Sequence, residues 1–217
     1  KKKNSRFVEV DGTFVHYVDE GEGIPIILLH GTGSSLHTWD LWAERLKNKY
    51  RVLRITLPGF GLSGPRFDKK YKIKDYVNLL ENFVEKIGVE KFHLVGNSLG
   101  GSIAWLYSSF YDKKVSKLVL INSSGFELDE VPFVIKIARN NYLNFLIKKT
   151  SPKYLIKKSL KEVYYNDKLI SKSIINRYYK LNLRQGNRQA FIDRALINYK
   201  DHTSRLNKIE SPTLILW

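Results

Sequence analysis

Residues 96–101 read Gly-Asn-Ser-Leu-Gly-Gly, a G-x-S-x-G pattern centred on Ser98. A serine hydroxyl presented on a tight turn can attack a carbonyl carbon when a base takes its proton and nearby donors hold the oxyanion. Glycine and serine are common, so the pattern carries weight only with a strand before it and a helix after it. Here "KFHLV" (91–95) reads as a strand and residues 99–111 as a helix. Gly96 and Gly100 fit a turn so tight that side chains would collide with the neighbouring strand and helix. Ser98 is then expected in a strained backbone conformation, exposed at the carboxyl edge of a sheet. The positive helix N-terminus beside it favours negative charge developing there.

A second stretch points to the same chemistry. "HGTGSS" (30–35) follows the apolar run "IPIILL" (24–29) and forms a loop. Two backbone amides are expected to make the oxyanion hole, that of Leu99 and that of Thr32. The base and the orienting acid are harder to find. Of the five histidines, His16 and His93 fall inside strands, His30 reads as a structural loop residue, and His37 could line the pocket. His202 is the one histidine that could substitute as base. Asp129 lies just beyond the strand ending at Asn122 and is a weak candidate acid. Asn122 itself cannot act as a carboxylate.

The elements that must hold these residues alternate. "RFVEV" and "TFVHYV" flank Asp11-Gly12 as a hairpin. "YRVLRITLP" (50–58) and "VSKLVLIN" (115–122) read as further strands, and 38–46 as a helix with Thr38 as its cap. Apolar residues recur at 3, 4, 7, 10, 11 and 14 positions from Ile73, one face of an amphipathic helix that Gly88 ends. Alternation of this kind predicts an α/β fold, a mostly parallel sheet covered by helices on both faces. It holds through residues 1–124, gives way to a Lys-rich helical insertion at 125–205, and resumes at 206–217 with "PTLILW", which reads as a buried strand.

The stretches "LLHGTGSSLHTWD", "LPGFGLSGP", "HLVGNSLGG", "LVLIN" and "SPTLILW" together resemble the α/β-hydrolase superfamily, in its serine-nucleophile, lid-bearing form. The resemblance spans residues 6–217. It departs at Thr56, where such families commonly place Asp. It implies esterase-like acyl transfer to water, because dehalogenases and epoxide hydrolases of this fold use aspartate where this chain has Ser98. A carbon–carbon bond hydrolase and a non-catalytic binding module of the same fold stay open. The superfamily order is serine, acid, histidine, so both remaining triad members are expected beyond Trp217, and the 217 residues alone are expected to be inactive.

Composition bounds the rest. No cysteine is present, which excludes disulfides and thiolate metal or redox chemistry. No metal and no cofactor is expected, and no apolar run reaches the roughly 18 residues of a membrane span. The net charge is +16, but 26 lysines, 19 isoleucines and only 5 alanines fit an AT-rich coding bias. No nucleic-acid motif accompanies the charge, so no nucleic-acid partner is expected. Residues 125–205 hold 17 basic and 7 acidic residues, a basic face suited to weak contact with an anionic membrane surface or to anionic substrates. A small acyl compound is the expected substrate. The absence of methionine and the end within an apolar strand suggest a chain cut at both ends, with a separate C-terminal fragment as one way to complete the fold.

Overall fold

The computed structural model describes residues 4–126, 131–149, 151–198 and 200–217. Seven strands form one sheet: β1 (Ser5–Val10), β2 (Thr13–Glu20), β3 (Pro25–Leu29), β4 (Arg51–Ile55), β5 (Phe92–Asn97), β6 (Val115–Ile121) and β7 (Thr213–Leu216). Their order is β1-β2-β4-β3-β5-β6-β7. The first two join as a hairpin whose turn residues Asp11 and Gly12 both take positive φ, and β2 runs antiparallel to β4. From β4 to β7 every pairing is parallel.

Side-chain alternation assigns the two faces of the sheet. Ile27, Leu29, Leu53, Ile55 and Leu94 face α2 (Ile73–Lys86) and α3 (Leu99–Phe110). Ile26, Leu28, Val52 and Val95 face the other way, onto Trp39 and Ala43 of the segment that forms α1 (Asp40–Leu46). Helix α2 buries Tyr76, Val77, Leu80, Phe83 and Val84, as its spacing requires. Asp75 accepts a hydrogen bond from the Lys72 N–H at 2.8 Å and so secures its first turn. Residues 99–109 of α3 are all buried, because the sheet, α2 and the 3-10 turn Thr203–Lys208 enclose that helix. Thr38, expected as the cap of α1, lies instead inside the 3-10 turn Leu36–Trp39, where its Oγ1 donates to the Ser35 carbonyl.

Between β6 and β7 the described residues form helices and no strand: α4 (Phe133–Arg139), α5 (Asn144–Lys149), α6 (Lys153–Val163), α7 (Lys172–Asn182) and α8 (Asn187–Ala195). They dock on the core through apolar residues, with Ile137, Phe191 and Ile192 joining its main cluster, and through polar contacts. Asn187 Nδ2 donates to the Gly61 carbonyl at 3.0 Å, and Tyr178 Oη lies 3.0 Å from Ser34 Oγ. The strand expected at "PTLILW" forms, but it is the sheet's edge strand in this structure. Leu214, Ile215 and Leu216 are 53%, 62% and 40% exposed, because β6 covers one side of β7 and no described element covers its faces.

One buried charge ties the sheet to α1. Arg54 of β4 is 1% exposed, pairs with Glu20 of β2, and reaches Asp40 of α1 at 2.6 Å. Removing the guanidinium would leave two partly buried carboxylates without it, Asp40 keeping a longer contact with Arg177 at 3.6 Å. Arg54→Met is therefore expected to destabilise the fold by about 3 kcal/mol, read as a lower urea midpoint. A midpoint unchanged from wild type would contradict this role.

Candidate functional site

Strand β5 and helix α3 meet at Ser98 with almost no room between them. A Cβ on Gly96 would overlap the Gly100 carbonyl, and one on Gly100 would overlap the Leu29 carbonyl of β3. The chain therefore turns from strand to helix in one residue, and Ser98 takes φ 51° and ψ −115°, a conformation L-residues rarely adopt. Three bonds prevent relaxation. Ser98 N–H donates to the Ile121 carbonyl at 3.0 Å, while the Ser98 carbonyl accepts from Ser102 N–H at 3.0 Å and Ser124 N–H at 3.2 Å. Among the described residues nothing holds the Ser98 hydroxyl, which opens onto a cavity of about 1730 Å³.

The loop after β3 closes on the same point. A Cβ placed on Gly31 would lie 3.1 Å from Ser98 Cβ, so backbone and serine are already in close approach. The Gly31 carbonyl accepts from His30 Nδ1–H at 2.7 Å and from Ser34 N–H at 3.2 Å. A trans peptide sets the Thr32 N–H opposite to that carbonyl. Holding the carbonyl thus fixes the direction of the Thr32 amide, and Thr32 and Ser98 line one cavity. Neither the Thr32 nor the Leu99 N–H is engaged by another group among the described residues.

His30 is a structural histidine. It is fully buried, and its Nε2 accepts from Leu57 N–H at 2.9 Å, which together with the Gly31 bond fixes the Nδ1–H tautomer. Burial lowers its pKa to about 4, with the Gly31 bond opposing and His37 adding to the shift. His16 is buried between Ser5 Oγ at 2.6 Å and Thr56 Oγ1 at 3.0 Å. Threonine at 56 therefore fills a polar contact with the hairpin. His93 lies in β5 against Tyr50. His37 bonds Ser35 Oγ at 2.8 Å and is not among the residues lining the cavity. His202 does line it, with its pKa lowered by burial first and by Lys200 next, and it makes no bond to Ser98. Asp129 falls outside the described residues.

The family model for the alpha/beta hydrolase fold matches residues 24–217. The chain belongs to the α/β-hydrolase family. This hydrolase is 28% identical over 222 residues to a 2-hydroxy-6-oxononadienedioate/2-hydroxy-6-oxononatrienedioate hydrolase of Paraburkholderia phymatum, covering 94% of this chain and 73% of that protein. It is 33% identical to epoxide hydrolase 4 of Mus musculus over 118 residues, 53% of this chain and 33% of that one. Among solved structures it superposes on a bacterial membrane phospholipase A with a TM-score of 0.82 at 25% identity, over 98% of this chain and 69% of that one. The hydrolase cavity also explains what sequence reading missed. Arg194, Trp105 and Trp42 line it, from elements far apart in the chain.

Two expectations follow. Ser98→Gly removes the backbone strain and should raise stability by about 1 kcal/mol; a lower urea midpoint would show that the turn is relaxed. His30 should titrate near 4 by NMR of its imidazole. The unfolded chain takes up that proton near 6.5 and the native state does not. Stability should then fall by about 3 kcal/mol as pH drops from 6.5 to 4, and flatten below. An imidazole titrating at 6.5 would contradict the enclosed position.

Proposed function

We propose that this hydrolase uses Ser98 as a nucleophile on an acyl carbon, with an ester as its substrate class. The single observation that carries the reading is the pinned, strained backbone of Ser98 at the cavity floor, with the Gly31–Thr32 loop in close approach. In the proposed sequence Ser98 Oγ adds to the carbonyl carbon while a base takes the hydroxyl proton. The oxyanion is held by the Thr32 and Leu99 N–H groups. Each such donor is worth on the order of 10²–10³ in rate. Collapse of the tetrahedral species expels the alcohol, which takes the proton from the base, and leaves an acyl-serine. Water then hydrolyses that ester by the same steps. The superfamily order places the acid and the histidine after the elbow in the chain. The helices between β6 and β7 roof the cavity through Val134, Ile135, Leu160 and Phe191 and would govern entry as a lid.

A second reading keeps the nucleophile and changes the bond. The match over 94% of this chain is to a hydrolase of an oxo-dioate, which favours cleavage of an activated carbon–carbon bond beside a ketone. The first step, addition of Ser98 to a carbonyl, is common to both.

Labelling of the full-length protein with a fluorophosphonate probe tests the reading. Stoichiometric label in wild type and none in Ser98→Ala is expected. Absence of label in wild type, or equal label in Ser98→Ala, overturns it and favours a non-catalytic module. Turnover of 4-nitrophenyl butyrate against that of a 2-hydroxy-6-oxo-dienoate then separates the two bond types.

A further inference from the structure

One side chain in the cavity wall has no counterpart in the fold. Arg194, near the end of α8, lines the same cavity as Ser98. Its Nε is sealed from solvent with no acceptor, and among the described residues the guanidinium makes no hydrogen bond and no ion pair. Arg194 as a whole is half-buried, and the two fully buried arginines, each of which also leaves one nitrogen without an acceptor, differ from it in holding carboxylates. Arg54 is held by Glu20 and Asp40, and Arg66 by Asp68 at 2.8 Å. The carboxylate beside Arg194 in sequence, Asp193, is taken by Gln189 Nε2 at 2.7 Å. Holding a partly desolvated cation without a partner costs stability, so an arginine kept at this position points to a role other than stability.

The surroundings add positive charge. Arg139 of α4 lines the cavity too, donates from Nε to the Ala195 carbonyl at 2.7 Å, and repels Arg194. Lys72, Lys74 and Lys200 line the same space, against Asp75 and Glu162 among the described residues. Asp75 is already the acceptor for Lys72 N–H. Burial lowers the Arg194 pKa, with Tyr76 opposing and Arg139 adding to the shift, the direction expected of a guanidinium that lacks an anion.

We infer that Arg194 is the recognition point for an anionic group carried on the substrate's acyl portion, and that this group is a carboxylate. A guanidinium fork matches the two oxygens of a carboxylate in its own plane, and one enclosed cation balances one charge. The substrate class is then the monoester of a dicarboxylic acid, or an oxo acid cleaved at the far end from its carboxylate. The inference rests on the Ser98 reading for where the bond breaks, but its binding arm does not depend on catalysis.

Two arms test it on the full-length protein. In the first, thermal unfolding is followed with adipate, with inorganic phosphate and without additive, for wild type, Arg194→Met and Arg194→Lys. Adipate should raise the wild-type Tm by about 2–4 °C near saturation, Arg194→Lys should keep part of that shift, and Arg194→Met should lose it. Arg194→Met without additive should unfold at the wild-type temperature or higher, since a structural arginine would do the opposite. In the second arm, kcat/KM is compared for 4-nitrophenyl monoesters of succinate, adipate and suberate and for 4-nitrophenyl butyrate. The ratio of the best monoester to butyrate should collapse by about 100-fold in Arg194→Met, the loss expected for a buried charged contact. An adipate shift that survives in Arg194→Met, a phosphate shift larger than that of adipate, or a lower Tm for Arg194→Met overturns the inference. If no ester is turned over, the ester reading fails, and the binding arm still decides the role of Arg194.

Discussion

Strand β5, helix α3 and the end of β3 approach so closely that only hydrogen fits at positions 96 and 100. Most of what matters in this molecule depends on that contact. A side chain at either glycine would push the helix off the sheet. With the helix in place the chain has one residue in which to reverse direction, and Ser98 takes the positive φ that geometry demands. The cost, on the order of 1–3 kcal/mol, is borne because β6 holds the Ser98 amide and two further amides hold its carbonyl. Strain is therefore stored where the hydroxyl meets the cavity, and it is stored by the core of the sheet.

A second polar device serves the same end. His30 has no acceptor or donor left for a substrate, since both ring nitrogens hold backbone. Its effect is to fix the Gly31 carbonyl and so the Thr32 amide. The Ser34–Tyr178 contact links this loop to α7. The helical segment thus touches the loop beside Ser98 as well as roofing the space above it. Movement of those helices would be felt at the amides of the loop.

Much of the fold could be read in the sequence because its determinants are local. The apolar runs at 25–29 and 51–55 and the Ile73 face follow from periods of 2 and 3.6. The elbow could be read because its residue pattern lies within five positions, although the steric need for Gly100 comes from Leu29 of β3. What escaped was non-local. Thr38 reads as a helix cap, yet a 3-10 turn precedes the helix and takes its hydroxyl. "PTLILW" reads as buried, yet burial depends on what packs against a strand and not on its own residues. Thr56 reads as a departure from pattern, and only the hairpin brings His16 to it, 40 residues away. Arg194 looks like one of many basic residues on a basic segment. Its isolation is a property of its neighbours, which no spacing rule reports.

The hydroxyl of Ser98 is the group proposed to take the acyl chain. The most direct measurement of this role is a rapid acid quench of the full-length protein mixed with 4-nitrophenyl acetate, followed by peptide mapping by mass spectrometry. A burst of 4-nitrophenolate equal to the protein concentration is expected, with the acetyl group on Ser98. A burst that persists in Ser98→Ala, or acetyl found only on lysines, would contradict it.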